Sequence, residues 1–176
     1  MANREALRDL HARLADRLRA AKSGDVAASW LAVFSAGNHY LFPLAQAGEI
    51  FPWTPPLSVP YSRHWFLGVA NLRGGVYGVV DLAAFVSGSP RPPPEDLIRN
   101  ELRLVTFNAV MELNCGLLVD RLDGLRHQDA FVRSDPAPSQ APEFFGTVFT
   151  DAGGTHWQEI NLQTLARHVD FLSISA

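Results

Sequence analysis

Short apolar segments separated by turn residues dominate the chain from residue 29 onward. Segments of five to ten residues that are rich in Val, Leu, Phe, Tyr and Trp and bounded by Gly, Pro, Asn or Asp are typical of β-strands. The predicted strands are WLAVFSA (30–36), HYLFPLA (39–45), EIFPW (49–53), FLGVANL (66–72), VYGVVDL (76–82), ELRLVTFNA (101–109), MELNCGLLVD (111–120), LDGLRHQ (122–128), EFFGTVFT (143–150) and HWQEINL (156–162).

The remaining segments have helical or loop patterns. Within residues 1–28, leucines recur every three or four positions, which predicts an amphipathic helix over 3–22 (Leu7, Leu10, Leu14, Leu18). This helix either packs on its own domain or docks on a partner. LAAFV (82–86) and LQTLARHV (162–169) predict short helices, and the proline-rich SGSPRPPPED (87–96) and SDPAPSQAP (134–142) predict a linker and a loop.

The two halves of the chain share one order of elements. Residues 66–85 align with 144–165, so that Gly68 matches Gly146 and Asp81 matches Asn161. We therefore interpret residues 29–176 as one domain of two intertwined pseudo-repeats, about 29–88 and 100–170. About five short strands in each half favour a mainly β fold of two small barrels side by side, because closure removes exposed sheet edges.

The stretch LRGGVYGVVDL carries a Gly-Gly pair beside Arg73. A phosphate-binding loop needs a Lys and a following helix, whereas here the sequence continues into another predicted strand. The second half repeats the pair as DAGG without an arginine, so we interpret the glycines as hairpin-turn residues. Arg73 is present in the first half and has no counterpart in the second, so we assign it to partner recognition.

Composition narrows the classes of function. A hydrophobic fraction of 47% is enough for a core, and a net charge of −3 argues against nucleic-acid binding. No run approaches the roughly 20 apolar residues that span a bilayer, so we expect a soluble cytoplasmic protein without membrane insertion. The single cysteine, Cys115, excludes an internal disulfide and lies in an apolar segment, which predicts burial.

Catalytic and metal-binding patterns are missing from the sequence. None of the six histidines has the H-E-x-x-H spacing, and there is no G-x-S-x-G nucleophile motif. Asp120 precedes Arg121, and an ion-paired or turn-capping carboxylate is the interpretation we favour. We therefore expect no enzyme activity, no metal and no cofactor. The aromatic, proline-rich stretch around PPLSVPYSRHWF either presents a binding face or caps a barrel.

Four stretches together resemble a known family. GEIFPW, GVANLRGGVYGVVDL, CGLLVDRLDGL and FFG…INLQTLA are similar to the motifs of the CheW-like adaptor domain of bacterial chemosensory arrays, over about residues 29–168. The N-terminal helix and the chain length are similar to the variant that serves type IV pilus twitching motility. Gly78 in place of a proline, and Asn161 in place of an aspartate, depart from the family pattern.

The resemblance implies a fold of two five-stranded, SH3-like β-barrels without catalytic activity. It implies two partners, the cytoplasmic tip of a chemoreceptor and the regulatory domain of a CheA-like histidine kinase, and a cytoplasmic location at membrane-bound receptor arrays. Carried over by motif, the receptor-binding positions are Arg73, Gly74, Glu49, Gly68, Leu104, Leu122 and Leu125. The kinase-binding positions are Ile50 and Glu49, with Ile50 on the first barrel and the three leucines on the second.

Alternatives remain at this point. Arg73 could instead form an internal ion pair with Glu49 or Asp81, a role compatible with partner binding. The chain could be a small-molecule-binding β-barrel, which would need a polar pocket inside one barrel. It could also be the same adaptor in a flagellar chemotaxis circuit.

Overall fold

A computed structural model describes residues 29–92 and 100–176. The N-terminal segment 1–28, with its predicted helix, and residues 93–99 of the proline-rich linker lie outside the described residues. The strands are β1 (Ser29–Ser35), β2 (Asn38–Pro43), β3 (Ala47–Pro52), β4 (Phe66–Leu72), β5 (Gly75–Asp81), β6 (Arg103–Phe107), β7 (Cys115–Val119), β8 (Arg121–His127), β9 (Phe131–Asp135), β10 (Phe145–Asp151) and β11 (His156–Ile160). The helices are α1 (Leu82–Ser87), α2 (Leu162–Leu165) and α3 (Val169–Leu172), with 3-10 turns at Ala109–Met111 and Gln128–Ala130.

The strands form two sheets that exchange elements between the halves of the chain. One sheet has six strands in the order β8-β1-β2-β11-β10-β9, and the other has five in the order β3-β6-β7-β5-β4. The first two strands of each half therefore lie with the later strands of the other half. Four pairings join the halves: β2 with β11 and β5 with β7 are parallel, and β1 with β8 and β3 with β6 are antiparallel.

Both sheets curl, so that strands distant in the sheet order touch. In the six-stranded sheet the rings of Trp30 on β1 and Phe131 on β9 lie 5.9 Å apart, although three strands separate β1 from β9 in the order. In the five-stranded sheet, Phe51 and Trp53 near one edge pack on the cluster that contains Ala70 and Leu72 of the opposite edge strand.

Alternation along each strand divides the apolar residues among three clusters. One lies within the five-stranded sheet (Ala70, Leu72, Val79, Leu102, Leu104, Leu118) and one within the six-stranded sheet (Trp30, Ala32, Leu41, Phe149, Trp157). The third and largest is shared between the sheets, and it includes Leu31, Val33, Phe42, Val105 and Leu117. Because successive residues point to opposite faces, strands buried on both faces have continuous apolar sequences.

The predicted mainly β fold is confirmed, with differences in detail. The six-stranded sheet has one strand more than expected, because β9 begins at Phe131 and covers the start of the segment predicted as a loop from residue 134. The predicted strand 111–120 contracts to Cys115–Val119. Its first residue, Met111, ends a 3-10 turn that Asn108 caps by accepting a hydrogen bond from the Val110 amide (3.1 Å).

Candidate functional site

Arg73 and Gly74 are the two residues of the tight turn between β4 and β5. Leu72 pairs with Gly75 across the hairpin, and Arg73 and Gly74 have φ angles of 50° and 83°. Positive φ at both central residues defines the I′ turn that matches the twist of antiparallel strands. The prediction that the Gly-Gly pair forms the turn is therefore wrong by one residue, since Gly75 already belongs to β5 and Arg73 is itself a turn residue.

A non-glycine residue at positive φ is strained, by roughly 1–2 kcal/mol for most side chains. The neighbouring residues hold Arg73 in this conformation. Leu72 is buried in the five-stranded sheet, and the Asn71 side-chain oxygen accepts a hydrogen bond from the Gly74 amide (2.9 Å). Burial of Leu72 and the hydrogen bond to Asn71 therefore stabilise the turn.

The Arg73 guanidinium lies on the surface beside two residues of β3. It pairs with the Glu49 carboxylate, and it lies 5.7 Å from the centre of the Phe51 ring. The side chains of Arg73 and Glu49 remain 75% and 58% exposed. Of the two internal partners considered from the sequence, the structure selects Glu49, because Asp81 is bound to Arg91 instead.

Glu49 is positioned by a bulge in β3. The register with β6 shifts between Ala47 and Ile50, and the Glu49 amide donates to Thr106 Oγ1 (2.8 Å), which donates back to the Glu49 carbonyl (3.1 Å). A bulge re-aims side chains by bending one strand relative to its partner. At Gly48 an added Cβ would lie 2.4 Å from the Phe107 carbonyl oxygen, so this close approach requires glycine.

A surface cavity of about 380 Å³ adjoins Glu49. Its lining combines the polar Thr106 and Asn108 with apolar side chains (Leu44, Ala47, Tyr77, Phe107, Leu113). Ile50, the predicted kinase contact beside Glu49, is half-buried and packs on the core shared between the sheets. The exposed ion pair and the neighbouring concavity together form a mixed polar and apolar surface at this end of the five-stranded sheet.

Gly68 has a backbone role within the site. Its φ is 130°, and an added Cβ would lie 2.1 Å from the Leu57 carbonyl oxygen. The next residue, Val69, exchanges two backbone hydrogen bonds with Leu57 (2.8 and 2.9 Å). Gly68 thus allows the proline-rich loop between β3 and β4 to lie against the outer edge of β4.

The three predicted leucines lie on different sheets. Leu104 on β6 has no exposed surface and belongs to the cluster within the five-stranded sheet, so a partner cannot reach its side chain. Leu122 and Leu125 on β8 are half-buried and pack against the shared core. Assigning all three to one second barrel was wrong, because consecutive segments of the second half enter different sheets.

Three contributors were not identified from the sequence as site residues. Asn71 lies in the stretch GVANLRGGVYGVVDL, and the signal for its role is an Asx residue three positions before a turn amide. For Phe51 the sequence predicts only a place in a strand. Arg91, in the proline-rich linker, forms ion pairs with Asp81 and Asp120. Asp120 also accepts a hydrogen bond from the Ala36 amide in a turn. The prediction of an ion-paired or turn-capping Asp120 is therefore confirmed, and its ion-pair partner is Arg91.

Cys115 is a buried, free cysteine. Burial raises the pKa of the Cys115 thiol to about 12, so it is protonated at neutral pH. Over the two described stretches, no group of three or more His, Cys, Asp or Glu side chains is placed to hold a metal ion. In the same stretches no helix is long and apolar enough to cross a bilayer.

Comparison with known proteins identifies the family of the chain. The family model described as the CheW-like domain matches residues 29–170. The chain belongs to the CheW-like family. It is similar to Protein PilI of Pseudomonas aeruginosa, with 25% identity over 143 residues that cover 79% of this chain and 75% of that protein. It is also similar to a probable chemotaxis protein CheW of Rhizobium etli, with 32% identity over 108 residues, 60% of this chain and 66% of that protein.

A solved structure shares the fold. The scaffolding protein TtCheW from Thermoanaerobacter tengcongensis superposes with a TM-score of 0.62 at 15% identity, over 84% of this chain and 97% of that one. The resemblance to CheW-like domains is therefore confirmed, and the chain is a CheW-like adaptor of chemotaxis-type signalling.

Proposed function

We propose that this protein is a non-catalytic adaptor that couples a methyl-accepting chemoreceptor to a CheA-type histidine kinase in the cytoplasm. We place it in a system that controls type IV pilus twitching motility. The similarity to PilI supports the assignment to pili, and the CheW relatives support the chemosensory role.

The observation that supports the proposal most directly is the exposed position of Arg73 at a hairpin turn. A charged residue occupies a strained turn position at a hairpin tip, and its ion pair with Glu49 is largely exposed. An exposed ion pair contributes little to stability, typically 0–1 kcal/mol, so stability alone does not account for an arginine at this place. Its planar set of donors suits a carboxylate or carbonyl groups on a helical receptor tip.

The two partners would use neighbouring surfaces. For the receptor we propose Arg73, Gly74 and Glu49, with the half-buried Leu122 and Leu125 accepting apolar side chains of a helix. Gly68 supports this face through the backbone, and Leu104 supports it from the core. For the kinase regulatory domain we propose Ile50 together with Glu49 on β3.

The test is binding of the purified protein to a receptor-tip peptide and to a kinase regulatory domain, measured by calorimetry. We expect both to bind, and Arg73→Glu to weaken receptor binding about tenfold or more while the melting temperature changes little. The matched control is Arg133→Glu, which reverses another exposed, ion-paired arginine, on β9. Failure of the folded wild-type protein to bind either partner would refute the proposal.

The CheW relatives named for chemotaxis favour one alternative, the same adaptor in a flagellar circuit. Deletion of the gene in its host separates the two. Loss of surface twitching with normal swimming supports the pilus assignment, and the reverse supports the flagellar one.

A further inference from the structure

Arg91, in the proline-rich linker, lies between two carboxylates. Its Nε donates to Asp81 Oδ2 (2.8 Å), and its Nη1 donates to Asp120 Oδ1. The three side chains are only 15%, 7% and 18% exposed. Burial by itself would lower the pKa of the Arg91 guanidinium. The hydrogen bonds and negative charges of Asp120 and Asp81 have the larger effect, so the pKa is raised.

Each carboxylate also holds a backbone amide with its other oxygen. Asp81 Oδ1 accepts from the Ala84 amide (3.1 Å) and so caps the start of α1. Asp120 Oδ2 accepts from the Ala36 amide (2.8 Å), which lies in the turn between β1 and β2. A continuous chain of bonds therefore runs from α1 through Arg91 to the β1–β2 turn.

This chain of bonds crosses the junction of the two sheets. Asp81 ends β5 of the five-stranded sheet, Asp120 lies where the chain passes from β7 to β8 of the six-stranded sheet, and Ala36 belongs to a turn of the six-stranded sheet. Charge-assisted hydrogen bonds add geometric specificity, and salt screens buried ion pairs less than exposed ones. At the matching place in the second half, Asn161 caps α2 without a charge (2.9 Å to the Thr164 amide).

We propose that Arg91 is a positioning residue, a clamp by which the linker holds the two sheets in one relative orientation. We name this Asp81–Arg91–Asp120 set the linker clamp. This role rests on the proposed function: the clamp keeps the Arg73–Glu49 surface on one sheet and the Leu122 and Leu125 surface on the other aligned for simultaneous contact with the receptor tip.

Removing Arg91 alone leaves two buried carboxylates without a cation, which can unfold the protein. The informative variant is therefore Asp81→Asn/Arg91→Met/Asp120→Asn. Asparagine retains a side-chain oxygen for both backbone amides, as Asn161 does, and methionine fills the space of the arginine stem. Replacing buried ion-pair sets by apolar groups is often neutral for stability, so this variant removes the clamp and retains the caps.

The measurement is the distance between spin labels, one on each sheet, by pulsed electron resonance. The label sites are the exposed Val76 on β5 and Val132 on β9, each changed to cysteine in a Cys115→Ala background. We expect one narrow distance distribution with the clamp intact, and a broadened or displaced one in the triple variant. The control is Arg133→Met, which removes an exposed arginine from β9 without touching the sheet junction. An unchanged narrow distribution in a folded triple variant would overturn the clamp.

A second measurement connects the clamp to signalling. In the triple variant we expect binding to the receptor tip, whose proposed surface spans both sheets, to fall at least about tenfold. Binding to the kinase regulatory domain, whose proposed contacts lie on β3 alone, should persist. Undiminished receptor binding with a disrupted clamp would overturn its role in alignment. Because the spin-label experiment needs no partner, its result is independent of whether the wild-type protein binds receptor and kinase.

Discussion

Arg73 and Glu49 form an ion pair between opposite edges of the five-stranded sheet, since Glu49 lies on the edge strand β3 and Arg73 lies in the turn that follows the other edge strand, β4. Two residues this close, from strands at opposite ends of the sheet order, require the sheet to curl back on itself. The side chains of the pair are mostly exposed to solvent. Each of them can therefore leave its ion pair and bind a group on a partner at little cost in free energy.

Arg73→Asn separates stability from recognition. Asn-Gly is the preferred pair for an I′ turn, whereas arginine is strained there. The substitution loses only an exposed ion pair, so we expect the free energy of unfolding to rise by about 0.5–1 kcal/mol. Urea denaturation measures this change, and receptor-tip binding should fall in the same variant. A marked loss of stability would show that the Arg73–Glu49 pair holds the sheet closed.

Gly68→Ala should be among the most destabilising small substitutions in the chain. It combines a left-handed backbone with a clash at the Leu57 carbonyl, and we expect a loss of about 3 kcal/mol in unfolding free energy. The control is Gly37→Ala, which also has positive φ but meets nothing within 4 Å, and should cost about 1 kcal/mol. Hydrogen exchange of the Leu57 and Val69 amides should accelerate only in the first variant. Equal effects of the two substitutions would argue against the close approach.

Leu104→Ala and Leu125→Ala distinguish a core position from a surface position. Leu104 is fully buried, so its truncation should lower the free energy of unfolding by about 3 kcal/mol. Leu125 is half-buried on β8, and its truncation should cost about 1 kcal/mol while weakening receptor binding. Thermal denaturation and calorimetric titration of both variants measure the contrast. Normal receptor binding by Leu125→Ala would remove this residue from the proposed receptor face.

The carboxyl group of Asp151 makes the free energy of unfolding decrease as the pH becomes acidic. The Trp157 indole N–H, then the backbone amides of Thr155 and Gly153, lower the pKa of this carboxyl below its ordinary 3.8. A depressed folded-state pKa stabilises the protein above the unfolded value, and this contribution is lost as the pH falls through the folded value. We expect Asp151→Asn to be less stable than wild type at pH 7, and the difference to shrink below about pH 3.8. Denaturation at pH 7, 4 and 3 measures it, and a constant difference would contradict the assignment.

The strand segments and the family were readable from the sequence because they depend on local composition and on one compact motif. Alternation of buried faces, Gly and Asn or Asp at turns, and the stretch GVANLRGGVYGVVDL are all local features of the chain. The extra strand β9 was missed because Phe131–Asp135 is mostly exposed and runs into prolines. Its pairing with β10 stabilises it, and that neighbour lies in a later segment.

Of the candidate site, sequence alone determined that Arg73 differs from its counterpart in the second half, and that no catalytic motif accompanies it. The tertiary structure decided which residues surround it: Glu49 and Phe51 from a distant strand, while Leu104 lies inside the core and Asp81 belongs to Arg91. The physical reason is strand exchange between the halves. Residues close in sequence enter different sheets, so the contacts of each side chain depend on pairings that no local pattern encodes.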